Sequence, residues 1–283
     1  MSQKNRVMTW VPPYAVSQCS KRLNETYSGI GMKHGITHLG LQFWNPTSSG
    51  NIRYVTKFNT INDSTVRNFQ RWGKAHNIRV MLCIYNGSSS EWNWNLAESA
   101  FGNHRSRLIN ALVKECRRLN LHGVDIDFEG KGNQASSKHA YIRFIAELSQ
   151  RLHAEGRELT VDSHAYKWGV PNQSWWPQIL PHVDALHVMG YAETGAGAAG
   201  WRSYSHIKAA AGRHASKVAV GVPGYEAAWQ NRAAITHLKW LAYDGTMGLA
   251  IWDAQLKNPV WRSKATWIAV AGIKTPKGRR LHR

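Results

Sequence analysis

Short apolar, β-rich runs recur along this chain, and segments of helical period separate them. The runs are Val7–Val11, Ile36–Phe43, Val80–Tyr85, Gly123–Phe128, Leu159–Ser163, Ala185–Met189, Val218–Val222 and Gly248–Trp252. The clearest helix covers Lys138–Leu152, where Tyr141, Ile145, Leu148 and Leu152 share one stripe. Others are predicted over Ser64–His76, Arg105–Leu119, Ser205–Ala211 and Ala233–Tyr243, with Glu155-Gly156 and Asp244-Gly245 as breaks. Strands joined through helices pair in parallel, because a parallel partner needs a long crossover. About eight such units close into a (β/α)8 TIM barrel, and a length of 283 residues suits one barrel. The competing architecture, an open doubly wound sheet, usually carries a Gly-rich phosphate turn after its first strand. Here that place reads Val11-Pro12-Pro13-Tyr14, which is unsuited to cradling phosphate. No linker of Ser, Pro and Gly divides the chain. Residues 1–273 therefore read as one barrel, followed by a basic tail over 274–283.

One of the runs is unlike the others. His122-Gly123-Val124-Asp125-Ile126-Asp127-Phe128-Glu129 alternates carboxylates with bulky apolar residues. Successive strand side chains point to opposite faces, so Asp125, Asp127 and Glu129 share one face. Like charges this close raise the proton affinity of the group. An acid kept protonated near neutral pH can protonate a leaving group. In a barrel, chemistry sits at the carboxyl ends of the strands. Glu129 is at such an end, as are Trp10, Trp44, Tyr85, His164, Tyr191 and Trp252. Clustered carboxylates also suit hard cations. No phosphate loop or His ligand pair accompanies them, so neither a metal nor a cofactor is expected.

The acidic run resembles the Asp-Gly-x-Asp-x-Asp-x-Glu signature of family-18 glycoside hydrolases, the family of many chitinases. His122 departs from the Asp usual at the first position. Met189-Gly190-Tyr191 is similar to the family's Met-x-Tyr at the sixth strand, with Ala192 in place of a frequent Asp or Asn. Gly221-Val222-Pro223-Gly224-Tyr225 and Gly248-Leu249-Ala250-Ile251-Trp252 are similar to its last two strands. The resemblance implies a retaining, substrate-assisted hydrolase of β-1,4 linkages in N-acetylglucosamine glycans of the chitin type. Glu129 would be the general acid/base, Asp127 would orient the substrate acetamido group, and Asp125 would hold Asp127. Tyr191 would bond the acetamido oxygen. Trp252 would floor the sugar at the cut. Met189, Trp10, Trp44, Tyr85, His164 and Trp229 are expected to help line the substrate groove.

Composition sharpens the substrate question. The chain has 14 Trp, whose faces suit pyranose rings; Trp92, Trp94, Trp168 and Trp201 also follow predicted strands, whereas Trp72, Trp240 and Trp267 read as core. The net charge is +19, which attracts polyanions such as an anionic cell wall. Hence a peptidoglycan-degrading N-acetylglucosaminidase is the alternative within the enzyme class, and a non-catalytic carbohydrate-binding barrel the alternative outside it. No nucleic-acid motif accompanies the charge, so specific nucleic-acid binding is not expected. No run reaches the length of a membrane span. The polar start Met1-Ser2-Gln3-Lys4-Asn5-Arg6 lacks the apolar core of a signal peptide. Two expectations follow for the cellular address: synthesis without a signal, or secretion with the signal removed. Cys19, Cys83 and Cys116 form no CxxC spacing, and Cys83 lies in an apolar run, so buried thiols are expected.

Overall fold

The computed structural model describes residues 5–58, 60–87, 91–167, 169–191, 199–225 and 231–275, with the backbone alone for 199–203 and 231–233. Among the described residues nine strands run β1 (Val7–Val11), β2 (His38–Pro46), β3 (Ile52–Tyr54), β4 (Arg79–Tyr85), β5 (Gly123–Asp127), β6 (Glu158–Ser163), β7 (Ala185–Val188), β8 (Val218–Pro223) and β9 (Gly248–Trp252). Eight of them pair in parallel and close on themselves through β1, which pairs with both β2 and β9. This is the (β/α)8 barrel expected from the alternation. The helices of its outer layer are α1 (Val16–Asn24), α2 (Met32–Gly35), α3 (Asp63–His76), α4 (Trp94–Glu98), α5 (Arg105–Arg118), α6 (Gln134–His153), α7 (Trp176–Ile179), α8 (Ala199–Ala211), α9 (Asn231–Asp244) and α10 (Lys264–Lys274). Residues 276–283 of the expected basic tail lie outside the described residues.

Strand alternation divides the core in two. Outward residues such as Leu39, Leu41, Val80, Leu82, Val124, Ile126 and Phe128 join the helices in one large apolar cluster. Inward residues Met8, Trp10, Met81, Cys83, Ala219 and Ala250 form a separate cluster within the barrel, with Trp252 against it. All three cysteines are buried and free. Helix starts are fixed by side chains: Asn62, Asn133 and Ser263 accept backbone N–H groups at the heads of α3, α6 and α10. Among the described residues no helix is long and apolar enough to cross a membrane.

Two features were not legible from periodicity. β3 is an antiparallel strand on the free end of β2, pairing Asn45 with Arg53 and Trp44 with Tyr54. β2 itself runs to Pro46, past the expected end at Phe43. A bulge between Gln42 and Trp44 also shifts the β2–β4 register. A bulge re-aims the side chains beyond it.

The lower end of the barrel is closed by charge. Glu158 Oε2 lies 2.6 Å from Arg6 Nη2 and 3.0 Å from His38 Nε2, while its Oε1 is 2.8 Å from Arg79 Nη1. Burial would raise the Glu158 pKa, but the His38 hydrogen bond and Arg6 outweigh it and hold the carboxyl well below the ordinary range. His122, the departure from the family signature, sits on this side too. Its Nδ1 accepts the Val80 backbone N–H at 3.1 Å.

Candidate active site

The period-2 order of β5 stacks three carboxyls inward. Asp125 is fully buried, Asp127 lies above it, and Glu129 follows at the mouth with its side chain 15% exposed. Each is held differently. Trp10 Nε1 donates to Asp125 Oδ2 at 2.7 Å, and Thr160 Oγ1 donates to Asp125 Oδ1. His187 Nδ1 lies between two acids, 2.8 Å from Asp162 Oδ1 and 3.4 Å from Asp125 Oδ1. Burial pushes Asp125 up, yet His187, Thr160 and Trp10 outweigh it and keep the carboxyl below its usual range. Asp125 is the ionised member of the column.

That charge pushes the neighbouring acids the other way. Gln42 Nε2 donates to Asp127 Oδ2 at 2.7 Å. Burial, with the charge on Asp125, nonetheless raises Asp127 to about 7. Glu129 is driven well above the ordinary carboxylate range by burial and by Asp127. Asp162 is also pushed well up, by burial and by Asp125, Asp127 and Glu129. His187 is pushed down by burial, against the opposing pull of Asp125. Asp127 Oδ1 is buried and makes no hydrogen bond of ordinary geometry among the described residues, although Glu129 is near enough for the two carboxyls to alter each other's proton affinity. The Glu129 backbone is clamped at both polar groups: Asn86 Nδ2 donates to its O at 2.8 Å, and its N–H donates to Asn86 Oδ1 at 2.9 Å.

Other expected residues fall around this column. His164 Nε2 lies 3.5 Å from Glu129 Oε2. Tyr191 follows β7, and its hydroxyl is pushed well up by burial and then by Asp162, Glu129 and Asp127. Gly221 makes room for it, since a Cβ there would stand 3.1 Å from Tyr191 Cε1 and 2.0 Å from the Val188 O. Met189 is buried at the same strand end. Tyr85 and Trp252 line a cleft of about 1170 Å3 that opens beside the column. Trp92, 40% exposed, borders it and meets Tyr85 edge-on at 6.0 Å. The cleft exceeds the roughly 300–1,000 Å3 of a small-ligand pocket.

Two expectations are corrected by the structure. Trp44 does not reach the groove. The β2 bulge turns it into the helix layer, where it is buried against Tyr54 and donates to Glu115 Oε1 at 3.2 Å. Trp10 is not a groove wall either. Its ring crosses the barrel interior over Gly40, where a Cβ would stand 2.5 Å from Trp10 Cδ1, and it serves as the donor beneath Asp125. Trp94 is buried and bonds Ser137, and it does line the cleft. Trp229 and Trp168 lie outside the described residues, as does the side chain of Trp201. Gln42, Asn86, Thr160, Asp162 and His187 were not anticipated. A signal existed for two of them: Thr160-Val161-Asp162-Ser163-His164 repeats the polar alternation of the acidic run.

Two buried sets, Cys83–Asp127–Asp162 and Asp125–Asp162–His187, bring potential metal donors within 4.8 Å of one another. Their donor atoms are largely committed already, Asp125 to Trp10 and Thr160 and His187 Nδ1 to Asp162.

Comparisons with known proteins agree with this fold. The family model for glycosyl hydrolases family 18 matches residues 10–270. A chitinase from Chromobacterium violaceum superposes with a TM-score of 0.70 at 14% identity, covering 96% of this chain and 100% of that one. The chitinase ChiB of Flavobacterium johnsoniae gives 0.70 at 17% identity, with 100% of both chains covered. The spore cortex-lytic enzyme SleL of Bacillus megaterium gives 0.71 at 14% identity, over 99% of this chain and 76% of that one. A comparison with curated proteins finds no match. With a family match spanning nearly the whole barrel and a protonatable acid held at its mouth, this chain belongs to glycosyl hydrolase family 18 and is a glycoside hydrolase.

Proposed function

We propose that the enzyme cleaves β-1,4 linkages next to N-acetylglucosamine residues by a retaining mechanism in which the substrate supplies the nucleophile. The observation that carries this reading is the pairing of a high-pKa Glu129 with a buried Asp127 whose Oδ1 is left without a well-formed hydrogen bond. A buried acceptor in that state gains from a donor brought by the ligand. The N–H of a 2-acetamido group is such a donor. Glu129 protonates the glycosidic oxygen as its bond to the anomeric carbon breaks. The acetamido oxygen attacks that carbon, and Asp127 accepts the N–H as positive charge develops on the ring so formed. Glu129, now ionised, then takes a proton from the water that opens the ring. Tyr191 bonds the acetamido oxygen, and Trp252 lies under the sugar.

The test is a pair of polymers that differ in one group. Chitooligosaccharides should be turned over, and the same oligomers stripped of their acetyl groups should be cleaved at least about 10³-fold more slowly, since proximity effects of this size accompany a lost intramolecular nucleophile. Equal rates on both would end the substrate-assisted reading.

The pH profile follows from the same group. A raised pKa means that the proton is held to higher pH. Activity should therefore persist through neutrality and fall on an alkaline limb as Glu129 ionises. Asp127→Asn removes the adjacent charge. Its residual activity should lose the alkaline limb at lower pH than wild type, read from kcat/KM against pH. An unmoved limb would mean that another group sets it.

A further inference from the structure

The described wall of the cleft carries more positive than negative charge. Arg53 on β3, Lys57 in the turn beyond it and Lys131, two residues after Glu129, all line it. All three are exposed, and among the described residues none forms an ion pair. Several guanidinium groups elsewhere have acidic partners: Arg105 has Glu147 at 2.8 Å, Arg118 has Glu115 at 2.8 Å, and Arg117 pairs with Glu155. Glu91 is the one acidic side chain on the cleft wall among the described residues. Lys57 Nζ lies 5.9 Å from the Phe58 ring, and Phe58 packs against Tyr14 at 6.4 Å, so this cation rests on an aromatic ledge facing the cleft.

A neutral chain of N-acetylglucosamine needs aromatic faces and amide partners. Trp252, Tyr85, Trp92 and Asn45 line this cleft and can provide them. It gains nothing from unmatched cations. An acidic substituent would gain from them, because a cleft lined by one sign of charge focuses its field on the ligand. An arginine fork also matches the oxygens of a carboxylate or phosphate. We propose that Arg53, Lys57 and Lys131 form a subsite for an anionic group, a carboxylate or a phosphate, borne by the N-acetylhexosamine chain. The inference rests on the hydrolase reading above and narrows its substrate class.

The test compares four tetrasaccharides: neutral chitotetraose, a muramic-acid-containing chain with free lactyl carboxylates, the methyl amide of that chain, and a 6-phosphorylated chitotetraose. At low salt the wild-type enzyme should favour a charged chain over its neutral counterpart in kcat/KM by roughly tenfold, the combined size of a few exposed ion pairs. The preference should shrink in 1 M salt. Preference for the carboxylate chain over its methyl amide, or for the phosphorylated chain over chitotetraose, tells which anion the subsite takes. In the triple variant Arg53→Gln, Lys57→Gln, Lys131→Gln the charged-to-neutral ratio should fall to about one. A control losing the same charge from the outer surface, Lys114→Gln, Arg213→Gln, Lys239→Gln, should keep it. Equal rates on charged and neutral chains in the wild type would overturn the subsite while leaving the hydrolase reading intact. So would an equal loss of the ratio in the control, which would assign the preference to overall charge. Cleavage of none of the four would overturn the hydrolase reading and the subsite with it.

Discussion

Glu129→Gln should lower kcat on a chitooligosaccharide by about 10³-fold, in line with the loss of a general acid and base at one position. The amide is nearly the same size as the carboxyl. Both backbone bonds to Asn86 survive the change, so Glu129 in its new form keeps its place at the mouth. What disappears is the proton. A carboxyl pushed well above its ordinary range by burial and by Asp127 still holds one at neutral pH and can surrender it; an amide cannot. Substrate affinity should change little, because the cleft is built from other side chains. Removing an acid from a buried acidic cluster should leave the thermal midpoint equal or higher. Calorimetric binding beside a turnover assay separates these effects. Near wild-type turnover would show that another residue donates the proton.

Glu158→Ala should destabilise the fold by about 3 kcal/mol, the cost of stripping one partner from a buried ion cluster. Arg6, His38 and Arg79 all converge on this carboxylate, and the Arg6 and Glu158 side chains are 12% and 15% exposed. Without it, two guanidinium groups face each other across the barrel floor. A loss of this size lowers the melting midpoint of a chain this long by about 6–12 °C. The cluster also sets an acid limit. The folded-state pKa of Glu158 is depressed, so its contribution is complete above the unfolded value of about 4.3 and is lost as pH falls toward the folded one. Wild type should thus lose stability below about pH 4, and the variant should show a smaller further loss over the same interval. Melting curves from pH 7 to pH 3 check both. A midpoint within a degree of wild type would mean that the cluster is only surface decoration.

The strand runs of this chain were readable because each is short and apolar, and several are bounded by a helix with a clear stripe. Gly248–Trp252 and Val7–Val11 begin and end where periodicity places them. The acidic column was readable for the same reason: a period of two leaves β5 only one way to present Asp125, Asp127 and Glu129 together. α1, α2, α4, α7, α10 and β3 went unread. β3 is three residues long and follows the extension of β2, too short for any period to show. Trp44 was misplaced because a single extra residue in β2 reverses which face a later side chain occupies.

Local order along the chain therefore determined the barrel, the strand that bears the acids and the chemistry those acids can perform. Alternation is a property of neighbours, and neighbours are what a sequence displays. Tertiary structure decided the rest: that Asp125 is held below its usual range while Asp127, Glu129 and Asp162 are pushed above theirs, that Trp10 supports an acid instead of a sugar, and that three cations border the cleft with no ion pair among the described residues. Those outcomes depend on distances between residues far apart in the chain, and on how much water reaches them. Only closure of the barrel sets either quantity.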